Sequence, residues 1–314
     1  MNIAITLLKQ KEYNIRYNLC NAANTCKDAL ENGADTVLLP EFFNLGLSST
    51  NNNQLIQKST QLMNRSYNKF YYPLMRYMLR RYLIHKNYIA TDIKSYLNEI
   101  TENIQSYNKK YIIGSIPLKE GKSIYNTGFI IDSKGDILFK QRKLHPYDYE
   151  HHLIDGYNKL DTIKMKGFNT AITICWDSLE GEMENAINKG AQLILSPTLF
   201  TTFAATLKYS HHRAQELKKH IYFACSTIIP QGNNNKISGG AFITGPDINS
   251  TKHTEGFMIK KLDINKLTKP DHKIKKIILD YTNNPHFENY ASINEAYINR
   301  TLTYKTIMDH EKQQ

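Results

Sequence analysis

Cysteine is scarce in this chain. There are four in 314 residues (Cys20, Cys26, Cys175 and Cys225), and none has CxxC spacing. A chain so long and so poor in cysteine is not a disulfide-stapled scaffold, and a reducing, cytoplasmic setting is expected. Long apolar runs are missing too. No stretch approaches the ~20 residues that a membrane-crossing helix needs. The N-terminal MNIAITLLKQKEYN carries no basic n-region and reads as a first β-strand rather than a signal peptide. Acid is in short supply: 29 Asp and Glu against 40 Lys and Arg leave a net charge of +11. The excess favours anionic partners, whether acidic substrates, nucleic acid or a membrane surface, without choosing among them. Low-complexity segments and fixed-period repeats are absent, which excludes repeat arrays.

The length suits one large α/β domain with a sizeable core. The stretch from Asn169 to Phe200, NTAITICWDSLEGEMENAINKGAQLILSPTLF, shows how the chain is built. An apolar run climbs to Cys175 and stops. A helix-like segment follows, with Glu180, Glu182, Glu184, Ala186 and Ile187, and Gly190 ends it. A second apolar run halts at Pro197. The pattern is strand, sharp turn, helix, strand. It predicts Cys175 at a helix N-terminus, where unpaired N–H groups favour a thiolate.

Other segments repeat the theme of a charge at a strand exit. Thr36 to Leu39 ends in Pro40-Glu41, and Ile137 to Phe139 leads into a polar connection holding Lys143 and Glu150. Further strands are expected at Ile3–Leu8, Tyr111–Ile116 (closed by Pro117), Asn126–Ile131, Ile221–Ile229, Ser238–Thr244 and Gly256–Leu262. Helices are expected at Ile15–Leu30, with Cys20 and Cys26 in or near its core face, and at His211–Lys219. Short strands interleaved with helices fit a layered α/β fold.

Hydrolysing an amide or nitrile through cysteine requires a nucleophilic sulfur, a base, and a cation or donors for the developing oxyanion. Cys175, Glu41 and Lys143 supply these types, each just beyond a strand or hairpin. Strand ends of a layered α/β protein can converge on one sheet edge.

Leu38-Leu39-Pro40-Glu41-Phe42-Phe43, Arg142-Lys143-Leu144-His145 and Ile174-Cys175-Trp176-Asp177 resemble, in that order, the three signature blocks of the nitrilase, or carbon–nitrogen hydrolase, superfamily. The resemblance covers roughly residues 1–267 and implies a four-layer αββα sandwich. It implies that Glu41 is the general base, Lys143 the stabiliser of the tetrahedral intermediate and Cys175 the nucleophile that forms a thioester. It gives Glu150 an orienting role, Trp176 an oxyanion-binding backbone N–H, and Asp177 and Thr198 places near substrate. Membership further implies no metal or organic cofactor and a homodimer or higher homo-oligomer. Cys-Trp-Asp is similar to the block of N-carbamoylputrescine-type amidohydrolases, so a linear amide or N-carbamoyl amine is expected as substrate, with a nitrile as the alternative.

The domain is therefore placed at residues 1–269, with a basic, Tyr-rich helical insertion at about 64–110 and a tail at 270–314 that is a possible dimer contact. Between Arg65 and Lys94 seven basic residues meet one acid. A nucleic-acid surface is one reading of that segment. A solvated or subunit-interface helix is the simpler one. A non-catalytic scaffold is a further alternative, against which the intact Glu, Lys and Cys stand. His145, His151, His152, His211 and His212 lack metal-binding spacing, because helical neighbours point about 100° apart.

Overall fold

Ile3, Ile5 and Leu7 face one side of the first strand, and Ala4 and Leu8 face the other; all five are buried. Both faces of that strand are therefore covered, as in a layered α/β sandwich. The structure is a computed structural model and describes residues 1–46, 71–147, 150–199, 204–229, 240–252 and 254–270. The start of the expected basic segment at 64–70 and the expected tail from 271 to 314 lie outside these residues.

Twelve strands are described: β1 (Asn2–Lys9), β2 (Thr36–Glu41), β3 (Tyr111–Glu120), β4 (Ser123–Asp132), β5 (Ile137–Arg142), β6 (Thr162–Met165), β7 (Phe168–Ile172), β8 (Leu193–Pro197), β9 (Tyr222–Ile229), β10 (Ala241–Gly245), β11 (Ile248–Lys252) and β12 (Gly256–Lys261). The first sheet runs β12-β1-β2-β3-β4-β5, with β1, β2 and β3 parallel. The second runs β6-β7-β8-β9-β10-β11, with β7, β8 and β9 parallel. They join where the end of β9 (Thr227–Ile229) leaves β10 and pairs with β1.

Alternation sorts the core. Ile5, Leu38, Ile113 and Ile130 turn inward against Ala171, Ile172 and Leu195 of the second sheet. Ala4, Val37, Ile112 and Phe129 turn outward. There they meet Ala22, Cys26 and Ala29 of helix α1 (Ile15–Glu31), together with residues of the short helices α3 (Ile93–Tyr96) and α4 (Asn98–Ile104). The second sheet is covered by α6 (Glu182–Asn188) and α7 (Ala204–Leu217) through Met183, Ala186, Ala214 and Leu217. Layer order is helix, sheet, sheet, helix. Between them come α2 (Tyr71–His85) and α5 (Glu150–Leu153). At one point the sheets nearly touch: a Cβ on Gly128 of β4 would lie 2.8 Å from Ile172 Cγ2 of β7. Only glycine permits that approach, which draws the two strands that feed the site together.

Several expectations change. β3 does not stop at Ile116 but continues through Pro117. Pairing with β2 ends at Ser115, so the N–H that proline lacks would have faced no β2 partner, and the Pro117 carbonyl accepts from Ala90 instead. Cys26 is buried, but Cys20 is exposed on the outer face of α1. α7 begins at Ala204, not His211. No α-helix starts at Cys175. A 3-10 helix spans Cys175–Leu179, and α6 begins at Glu182 after Gly181, whose φ is 83°.

Candidate active site

Four strand ends meet at one edge. β2 terminates in Glu41, β5 runs straight into Lys143, β7 stops three residues before Cys175, and β8 ends at Pro197 before Thr198. These are carboxyl ends of strands, where α/β folds collect their ligand-binding groups. The β2–β3 register shifts between Leu38 and Glu41, a bulge of the kind that re-aims a side chain. Two non-glycine residues here lie in the left-handed region: Cys175 at φ 50° and Phe42, just after Glu41, at φ 47°. Such backbone costs roughly 1–3 kcal/mol per residue and persists only where the surroundings hold it.

The side chains interlock. Lys143 Nζ donates to Glu41 Oε1 at 2.8 Å and to Glu150 Oε2 at 2.5 Å, and the lysine is only 1% exposed. Glu41 is buried equally deeply, and the Cys175 thiol lies close enough to interact with it and with the Leu199 backbone amide. Placing an ion in the interior costs several kcal/mol even after relaxation, as much as burying two or three core Leu or Ile side chains gains. The cluster therefore needs every partner it has.

One ammonium serves two carboxylates. Burial works against the charged form of Lys143, but Glu150 and Glu41 outweigh it and hold the ammonium well above the ordinary lysine range. Burial pushes Glu41 up, and the Glu150 charge adds to this against the pull of Lys143. Burial and then the Glu41 charge push the Cys175 thiol well above its ordinary value, with Lys143 and the Leu199 amide pulling the other way. The α-helix N-terminus that was expected to favour a thiolate is not at Cys175. A third negative charge buried beside two carboxylates is disfavoured, which favours the neutral thiol.

The remaining sequence candidates divide. Glu150 joins the cluster, and the Tyr147 backbone N–H fixes its Oε2 at 2.8 Å. Asp155, a possible competitor for that place, is instead held by Arg76, Arg80 and the Ile124 amide. Asp177 is fully buried. Its oxygens accept the backbone N–H groups of Ile174, Leu144 and His145 at 2.8–3.1 Å, so it ties the Lys143 segment to the Cys175 turn. Burial raises it to about 7. Trp176 donates from its ring to Glu180 and stacks on Tyr147, with centroids 4.2 Å apart. The Thr198 hydroxyl donates to the Ser226 carbonyl, and its own carbonyl accepts the Glu41 N–H at 3.3 Å. Its backbone therefore seats the glutamate. His145 pairs with Glu182 and His211 with Asn249.

Asn126 was not singled out from the sequence. Its Nδ2 donates to Glu41 Oε1 at 2.7 Å and to Glu150 Oε1 at 3.2 Å, and its carbonyl accepts the Lys143 N–H at 2.8 Å. The available signal was one amide between the apolar positions Ile124 and Phe129 of a buried strand. A chain of hydroxyls under the Cys175 turn was also missed: Thr173 to Ser178 at 3.0 Å and Ser178 to Ser196 at 3.1 Å.

A family model described as carbon-nitrogen hydrolase matches residues 2–268. Omega-amidase NIT2-B of Xenopus laevis is 25% identical over 67% of this chain and 68% of its own length. The chloroplastic omega-amidase of Arabidopsis thaliana is 24% identical over 78% of this chain and 63% of its own. Among solved structures, a cysteine-to-alanine mutant of the Nesterenkonia AN1 amidase from the nitrilase superfamily superposes with a TM-score of 0.63. It is 18% identical and covers 88% of this chain and 96% of its own. The same amidase in complex with butyramide gives a TM-score of 0.61 at 18% identity, over 88% and 96%. These structures share the αββα sandwich.

Proposed function

The chain belongs to the carbon–nitrogen hydrolase family, and from that premise we propose that it hydrolyses a small linear amide to a carboxylic acid and ammonia. The observation that carries this reading is the shared ammonium of Lys143 between Glu41 and Glu150, with the Cys175 thiol on the same Glu41. As substrate binds, Glu41 takes the thiol proton and sulfur attacks the amide carbon. The negative charge that develops on the amide oxygen is stabilised by Lys143 and the Trp176 backbone N–H. The C–N bond breaks, and the proton on Glu41 passes to the departing nitrogen, which leaves as ammonia. A thioester remains on Cys175. Glu41 then deprotonates a water that attacks the thioester carbon, and the freed sulfur regains its proton. Glu150 acts through Lys143, holding it toward the reaction centre and keeping it charged.

A linear amide is favoured over an N-carbamoyl amine on two grounds. Relatives along most of the chain are omega-amidases. The aspartate of Cys-Trp-Asp, which suggested a carbamoyl substrate, is occupied by three backbone amides and so says nothing about substrate. Ammonia release over a panel of ω-amides, N-carbamoyl amines and nitriles tests the reading. Turnover of a linear amide that disappears in Cys175→Ala, with the fold retained, is the expected result. Undiminished release by that variant would sink it.

A further inference from the structure

The basic insertion has no part in the chemistry above, yet it forms one wall of a second concavity. Helix α2 carries Arg76, Arg80 and Arg81 and no acid. Across from it stands the tip of the β3–β4 hairpin with Lys119, Gly121 and Lys122. Between them lies an open groove of about 1110 Å³, also lined by Tyr77, Tyr82 and His85. Strand alternation keeps the groove free of the hairpin's acid: Lys119 lines it, whereas Glu120 is taken up by Lys140 and Arg142. At its inner end Arg76 and Arg80 share Asp155 at 2.8 and 3.0 Å. Among the described residues no acid faces Arg81, Lys119 or Lys122 at ion-pair distance.

Charge here is concentrated, not spread. From Arg76 to His85 the helix advances about 14 Å at 1.5 Å per residue, the length of a nucleoside with a short phosphate chain and well short of a nucleic-acid track. Guanidinium forks match phosphate oxygens, with lysines adding point charges. Tyr77 and Tyr82 are 56% and 40% exposed on the same helix, and Arg81 covers the Tyr77 ring at 5.8 Å. Exposed aromatics between cations offer a stacking face for a base.

We propose that this groove binds a polyphosphate anion, in the first instance a nucleoside polyphosphate whose phosphates lie along Arg81, Lys119 and Lys122. Isothermal titration of the full chain at low ionic strength with ATP and with inorganic tripolyphosphate tests it. Saturable binding of one ligand per chain is expected, weakened about tenfold for each cation removed in Arg81→Gln/Lys122→Gln. Circular dichroism shows whether this surface variant keeps its fold. ATP binding at least about tenfold tighter than tripolyphosphate assigns the nucleotide; equal binding assigns the phosphate chain alone, and both support the site. Three results overturn it: no saturable binding of either polyphosphate, a double variant that binds as tightly as its parent, or displacement of ATP by a 20-nucleotide RNA whose salt dependence reports more than about four phosphates.

Discussion

The two sheets contribute to the site in opposite chemical ways. The first brings the charges, Glu41 from β2, Lys143 beyond β5 and Glu150 shortly after, with the Asn126 amide of β4 donating to both carboxylates. The second brings the sulfur, and beneath it lies a neutral support of hydroxyls, Thr173, Ser178 and Ser196. Its own buried ion pair, Arg213 with Glu184, joins α7 to α6. In the proposed reaction one half sets protonation states, and the other sets the position of the sulfur that attacks. A site divided in this way can keep a cysteine protonated until substrate arrives.

The sharpest way to break this division is Lys143→Met. It strips the shared cation from two buried carboxylates. Stability should fall by about 3–5 kcal/mol in denaturant titration, and kcat/KM by about a thousandfold or more. Adding Glu150→Gln should restore part of the stability but not the activity. Removing the second half's cation, Arg213→Met, should also lower the melting temperature, with a loss of about 3 kcal/mol. It should leave kcat within a few-fold of the parent, because the ion pair braces one helix against another. Equal losses of kcat in the two variants would erase the comparison.

Asn126→Leu is a milder probe of the charged half. Losing a donor to an ionised carboxylate costs about 1.5–3 kcal/mol, or roughly 10–100-fold in kcat/KM. The pH profile has a definite sign. Glu41 must be ionised to act as base, and its folded-state pKa is raised, first by burial. The acid limb of kcat/KM should therefore lie above the ordinary glutamate range. In Asn126→Leu it should move higher still, because a hydrogen bond that favours the carboxylate is gone. An unmoved limb would make Asn126 a packing residue only. Smallest of all should be Ser178→Ala, which opens the hydroxyl chain of the neutral half. It should cost about 1–2 kcal/mol of stability and leave the pH profile in place.

What could be read from the sequence follows the same division. Glu41, Lys143 and Cys175 were legible because each interrupts a buried apolar run, and a charge or thiol at such a point is conspicuous. The layered architecture was legible for the same reason, since alternation and breaks mark strands. The partners of these residues were not. Asn126 has a role only because β4 lies between β3 and β5, and strand order is a long-range fact. Asp177 stands beside the nucleophile in sequence yet points at backbone amides from a segment 33 residues away. The helix-end expectation at Cys175 considered one neighbour, whereas a 3-10 helix starts there and burial and the Glu41 charge push its thiol up. Pro117 misled in a simpler way, since its effect depends on which side of β3 has lost its partner.

The central claim is that Cys175 rests as a thiol and reacts only as Glu41 removes its proton. The most direct measurement is the pH dependence of Cys175 alkylation by iodoacetamide in the parent and in Glu41→Gln. It is followed on the Cys175 peptide by mass spectrometry, because the exposed Cys20 also reacts. The account predicts a rate in the parent that rises with ionisation of Glu41, and a rate about a hundredfold lower in the variant. An equally fast variant, with a pH profile of a free-standing thiolate, would contradict it.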